Sequence, residues 1–169
     1  MFEAFEPVLA TVADMCEVSA LESSSFPSDE AASDETICSR QRNAGKYFVV
    51  MKGKHSSEVI GFVNGTCIEG ETITHESMTD HNPNGKTLVI HSVTVSSNHR
   101  KKGCGTTLLK KYVKYVTEFC PEIHLILLLS KAYLLRFYVS CGFQLVSLSP
   151  VHHGKVRRRF CSKLLESEM

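Results

Sequence analysis

The sequence predicts an α/β layered domain on a mixed sheet, and three observations carry that prediction. Leu88 to Val95 is a long β-branched run, and the residues from Gly105 onward switch to helical period. Ile123 to Leu129 is almost wholly apolar, which suits a central strand covered on both faces. The signals follow the order helices, three strands, helix, strand, helix, two strands, the alternation of a layered domain. With 169 residues, one domain spanning 1–169 is expected. A hydrophobic share of 43% against 22% charged excludes collagen-like, coiled-coil and disordered classes.

Each element has its own local reason. Val8, Val12 and Met15, with Leu9 and Cys16 alongside, recur at helical spacing and predict a first helix. Glu22 to Glu30, polar with one Phe-Pro pair, reads as a linker. Ser33-Asp34-Glu35-Thr36 opens a second helix, with Ser33 as N-cap and carboxylates on the first turn. Lys46 to Met51, Val59 to Cys67 and Leu88 to Val95 read as strands. Leu108, Leu109, Tyr112, Val113, Val116 and Phe119 then make one apolar stripe, with Lys110, Lys111 and Lys114 outside it, and Pro121 stops the helix. Lys131 to Cys141 reads as a helix closed by Gly142. Phe143 to Leu148 and Val156 to Leu164 form a closing pair of strands, with the basic run Lys155 to Phe160 as a solvated edge.

Charge and cysteine usage narrow the function classes. With 19 basic and 18 acidic groups, no global field holds the chain on a nucleic acid or an anionic membrane, so any anion site is local. Seven cysteines include no C-x-x-C pair and no zinc-ligand spacing, so no metal site and no disulfide framework is expected. The start, Met1 to Glu6, is acidic where a secretory signal is basic, and no apolar run approaches the roughly 20 residues of a membrane helix. These features predict a cytoplasmic monomer with reduced, buried thiols and neither nucleic acid nor membrane as partner.

One segment carries a local anion site. Between the strand ending Val93-Thr94-Val95 and the helix opening at Gly105-Thr106 lies Arg100-Lys101-Lys102-Gly103-Cys104-Gly105. Glycines let the backbone approach a ligand, and the first helical N–H groups lack internal partners, so donors and helix dipole converge on a diphosphate. The three-glycine dinucleotide fingerprint and the Walker Gly-Lys-Ser/Thr are both absent. The competing reading is a glycine-tightened turn with a solvated basic run.

Arg100 to Gly105 resembles the Arg/Gln-x-x-Gly-x-Gly/Ala pyrophosphate loop of the GNAT superfamily of N-acetyltransferases, and Phe137-Tyr138-Val139-Ser140-Cys141-Gly142-Phe143 resembles that family's F-Y-x-x-x-G-F segment. Ile73 to Met78, His81-Asn82-Pro83-Asn84-Gly85, His91 to Val95 and Phe26 to Ser33 are similar to the arylalkylamine (serotonin) N-acetyltransferases, non-vertebrate type. Vertebrate members place two histidines on the central strand, where this chain has Val89 and His91. They also carry phosphorylatable arms that dock an adaptor, which this sequence is not expected to have. The resemblance implies the GNAT acyl-CoA N-acyltransferase fold, a mixed, mostly antiparallel central sheet flanked by helices. It implies acetyl-CoA as cosubstrate, held by Val93, Thr94, Val95, Arg100, Lys101, Lys102, Gly103, Cys104, Gly105 and Thr106, with Cys104 at the loop's variable position.

Acetyl transfer from a thioester needs an amine relieved of its proton, a stabilised oxyanion and a protonated leaving thiolate. His91 is the candidate base, since an imidazole titrates at about 6.5; a hydrogen-bonded core histidine is its competing reading. Glu30, in the segment resembling the amine-facing loop, is the rival base, against a solvated or capping carboxylate. Tyr138 carries over as general acid, against a core aromatic. Phe26 and Pro27 are expected to wall the ring of a small aromatic amine such as serotonin, tryptamine or phenylethylamine. A non-catalytic acyl-CoA-binding or adaptor module, and an acetyltransferase for polyamines or protein lysines, stay open as alternatives.

Overall fold

The computed structural model describes residues 6–153 and 156–165, with the backbone alone for 149–153, 156, 157, 159 and 160. Its strands are β1 (Pro7–Leu9), β2 (Phe48–Lys52), β3 (Val59–Ile68), β4 (Thr87–Val95), β5 (Leu125–Ser130), β6 (Gln144–His153) and β7 (Val156–Leu164). Its α-helices are α1 (Met15–Ser25), α2 (Asp34–Ala44), α3 (Cys104–Phe119) and α4 (Leu135–Ser140). The strands form one mixed sheet in the order β1-β2-β3-β4-β5-β7-β6, flanked by helices. By compactness the chain divides into Met1–Asn64 with Ser92–Tyr112, and Gly65–His91 with Val113–Met169.

In the first unit, β1, β2 and the first half of β3 are antiparallel neighbours, Val8 facing Val50 and Val50 facing Phe62. Met15, Val18, Ile37, Phe48, Val50 and Phe62 close around one another as its core. The Ser33 side chain accepts the Thr36 N–H and starts α2 as expected. Tyr112 is fully buried, and its hydroxyl donates to the Tyr47 carbonyl at 2.8 Å. Gly61 is required where it stands: a Cβ there would meet the Thr94 carbonyl at 2.8 Å and Leu108 Cδ2 at 3.2 Å.

Two readings need correction here. Val8 and Leu9 lie on an edge strand and Val12 in a 3-10 turn, all exposed, so the first helix begins only at Met15. Pairing with β2 overrides the helical spacing. Of the stretch read as a linker, Glu22 to Glu30, the part from Glu22 to Ser25 is the last turn of α1; Ser23 and Ser24 donate back to the carbonyls of Ala20 and Leu21, and Phe26-Pro27 ends it.

In the second unit the parallel ladder of β4 with β5 runs from Thr87↔Leu125 to Ile90↔Leu128, one residue short of His91. Ile68, Ile73, Val89, Leu125 and Leu127 form the core. The end of α4 is a Schellman motif: Phe143 N–H bonds the Tyr138 carbonyl, Gly142 N–H bonds the Val139 carbonyl, and Gly142 has φ 93°. Instead of an edge, the strand bearing Arg157 to Phe160 is interior, inserted between β5 and β6, and the Arg158 side chain is buried. Phe119, expected on the buried stripe of α3, is exposed at the helix's last position.

The cysteines are all free thiols, but not all buried: Cys16 on α1 is exposed, and Cys38 on α2, packed against the core, is half-buried. Among the described residues no helix is long and apolar enough to cross a membrane, and no His/Cys/Asp/Glu group could hold a metal ion.

Candidate active site

The first unit holds the basic loop. A 3-10 turn, Ser97–His99, follows β4, and the Ser96 hydroxyl pairs with His99 Nδ1 at 2.7 Å. Lys101 has φ 58° and Gly103 φ 79°, two left-handed residues that turn the chain directly into α3. Lys101, alone among described non-glycine residues in adopting positive φ, is the strained one. The Gly103 carbonyl accepts the Thr107 N–H, so the amides just after it begin the helix with no intrahelical acceptor. Left-handed residues in such a turn help direct N–H groups to one side, where they favour an anion.

The loop's side chains divide their work. Arg100 braces the turn, its Nε donating to the Val95 carbonyl at 2.8 Å and its Nη2 to Ser25 Oγ at 3.0 Å. Lys102 Nζ donates to the Asn98 carbonyl at 3.0 Å. Lys101, Lys102 and Gly103 are exposed, Gly105 and Thr106 half-buried. Cys104 is buried; burial pushes its thiol above the ordinary cysteine value and Lys102 only partly offsets this. A protonated thiol is a poor nucleophile, consistent with a structural place for Cys104.

The same unit contains a buried acidic pair that sequence reasoning resolved only in part. Glu30 is 8% exposed, so the solvated reading of this carboxylate fails. Its N–H and that of Ala31 both bond the Pro27 carbonyl at 2.9 Å, a tight turn that carries the side chain inward. Phe26 is half-buried and Pro27 exposed. Glu22, missed in a stretch that read as linker, is 3% exposed. Its Oε1 accepts from the Ala32 N–H at 3.1 Å and from Ser92 Oγ at 3.3 Å. Arg40, on α2, has its pKa pushed down to about 10 by burial against the opposing pull of Glu22, and its Nη1 reaches Asn64 Oδ1 at 3.5 Å. On β4, Thr94 and Val95 are buried and Val93 half-buried.

The second unit holds the other two candidates. His91 is half-buried, and its Nε2 lies 2.7 Å from the hydroxyl of Thr66, a buried residue of β3. That bond lets Thr66 select the ring's tautomer and orientation; a lone threonine on a strand gives no sequence signal of such a role. Tyr138, on α4, is buried edge-on to Phe137 and Phe143, with centroids 5.0 and 6.0 Å away. Burial foremost, then the thiols of Cys161 and Cys141, push its hydroxyl above the ordinary tyrosine value, while the Arg158 guanidinium pulls it down. The phenol therefore keeps its proton across the physiological range.

A strand, a basic glycine turn and a long helix in direct succession, on a mixed seven-stranded sheet, agree with the fold expected from the resemblance. Residues 14–143 match the acetyltransferase (GNAT) family, and the chain belongs to that family. It is 31% identical over 98 residues to serotonin N-acetyltransferase of Mesocricetus auratus, a match covering 58% of this chain and 47% of that protein. The chain thus spans about half the length of that relative. Among solved structures it is similar to the loading GNATL domain of CurA from Lyngbya majuscula, with TM-score 0.84, 14% identity, and coverage of 96% of this chain and 98% of that one. It is also similar to the GphF GNAT-like decarboxylase in complex with isobutyryl-CoA, with TM-score 0.81, 16% identity, and coverage of 95% and 100%.

Proposed function

We propose that the chain, acting as one domain over 1–169, is an acetyl-CoA-dependent N-acetyltransferase for the primary amine of a small arylalkylamine, working by direct attack in a ternary complex. The observation that carries this reading is the turn from Lys101 to Gly103, whose left-handed residues deliver the chain into the N-terminus of the 16-residue α3. Exposed lysines and unpaired helical N–H groups together suit a diphosphate. The serotonin N-acetyltransferase relative supports the amine class.

In this reading His91 takes the proton from the arriving ammonium, with Thr66 fixing which ring nitrogen faces the amine. Backbone N–H groups from Val93 to Val95 stabilise the oxyanion that forms on the thioester carbonyl. Tyr138, held neutral by burial, gives its proton to the departing thiolate. Phe26 and Pro27 wall the aromatic ring, and Glu30 stands in the same loop as a second proton acceptor.

Steady-state thiol release with acetyl-CoA and a panel of serotonin, tryptamine, phenylethylamine, spermidine and a lysine peptide tests the proposal. Turnover should be fastest with the arylalkylamines. Fast turnover of spermidine or peptide overturns the acceptor class. Tight acetyl-CoA binding with no thiol release for any amine overturns the enzyme itself, leaving an acyl-CoA-binding module.

A further inference from the structure

A buried carboxylate is costly unless several donors converge on it, and Glu22 meets that condition by joining three pieces of chain. Its backbone carbonyl accepts the Phe26 N–H at 3.1 Å, where α1 ends. Its Oε1 accepts the Ala32 N–H at 3.1 Å, where the following turn ends. The segment from Phe26 to Ala32 is therefore fastened at both ends to one residue. Between those ends the Pro27 carbonyl takes the N–H groups of Glu30 and Ala31, so the loop has little freedom left. The same Oε1 also accepts from Ser92 Oγ at 3.3 Å, and Ser92 follows His91 directly on β4. Arg40, on α2, is close enough to Glu22 for the carboxylate to oppose the effect of burial on the guanidinium.

We propose that Glu22 is a positioning residue for the acceptor: its carboxylate clamps the Phe26–Ala32 loop to Ser92 on β4, and so fixes Phe26, Pro27 and Glu30 against the part of that strand running from Ser92 to Val95. This inference rests on the amine-facing assignment of that loop. Glu22 itself touches no reacting atom. A loop released at Ala32 keeps its sequence and its proline but samples many conformations, so the acceptor must order it on binding. The loss then falls on amine binding, while the diphosphate seat after β4 is untouched.

The experiment compares Glu22→Ala, Glu22→Gln and Ser92→Ala in the full chain, with tryptamine as probe amine. Glu22→Ala should raise the tryptamine KM at least about tenfold, the scale of one charge-assisted hydrogen bond. Its acetyl-CoA Kd, measured by calorimetry, should stay within about twofold of the wild-type value, because none of its partners belongs to the loop at 100–106. Glu22→Gln keeps an accepting Oε1 and should recover most of the loss. Ser92→Ala, which removes one donor and leaves Glu22 with the Ala32 N–H and Arg40, should raise the KM only a few-fold, and it serves if Glu22→Ala does not fold. Hydrogen exchange should show lost protection at the Ala32 amide in Glu22→Ala and not in Glu22→Gln. Unchanged tryptamine KM and unchanged Ala32 protection in a folded variant overturn the clamp. If the wild-type chain acetylates no arylalkylamine, the acceptor reading fails instead, and the exchange measurement still decides whether Glu22 holds the loop.

Discussion

Proton transfer is where single residues decide the outcome. His91→Ala should lower the maximal rate by about 10²–10⁴-fold, the usual worth of a positioned base. That defect should shrink at alkaline pH, where more amine arrives already neutral. Tyr138→Phe keeps the ring against Phe137 and Phe143 but removes the proton for the thiolate. Its defect should persist or grow as pH rises, since the burial-raised hydroxyl of the wild type stays protonated well past neutrality. A pH–rate profile of both variants on one aromatic amine checks the division; a base-type profile in Glu30→Gln, with His91→Ala unaffected, assigns the role to the glutamate. The types of these residues were legible in the sequence, and their surroundings were not. The turn at Pro27 that buries Glu30, and the Thr66 hydroxyl against His91, depend on chain folded back from 25 residues away or on a local turn with no periodic signature.

Elements with a strong local signal were read well, and those fixed by tertiary pairing were not. Ser33 announces α2 because its hydroxyl caps a helix whoever its neighbours are. The strand β1 gives no such notice: Val8 and Leu9 are spaced as a helix repeats, and only the ladder with β2 makes them a strand. The loop between β4 and α3 is the element whose chemistry is most exposed to test. Gly103→Asp sets a carboxylate beside the proposed diphosphate seat at a residue with φ 79°, and acetyl-CoA affinity should fall about a hundredfold, as like charges brought together cost several kcal/mol. Calorimetry on the folded variant giving wild-type affinity refutes the seat. At the entry to α1, Asp14 accepts from the Thr11 N–H at 2.8 Å and pairs with Lys52 at 2.7 Å. Burial raises its pKa, but the hydrogen bonds from Lys52 and Thr11 outweigh it, so the net shift is below the ordinary value of 3.8. A lowered folded value gives stability that is present above pH 3.8 and lost as pH falls through that folded value. Asp14→Ala should therefore cost about 1–3 kcal/mol in urea unfolding at neutral pH, and the gap to wild type should close in strong acid.

At the scale of the whole molecule, seven strands share one sheet, and the order β5-β7-β6 makes the chain's last described strand an interior one. Ladders from Leu125↔Leu164 to Ser130↔Arg159 hold β7 on one side, and Gln144↔Ser162 to His153↔Val156 hold it on the other. A chain ending after His153 should lose cooperative unfolding and pass into the pellet on expression, because β6 would have no ladder and β5 an open one; a soluble, cooperatively unfolding product contradicts this. The order of synthesis runs against the order of the sheet. Until β7 has been made and docked, the leucine-rich edge of β5 lacks its natural neighbour. During that interval the nascent chain offers a ready template to its siblings on the same message.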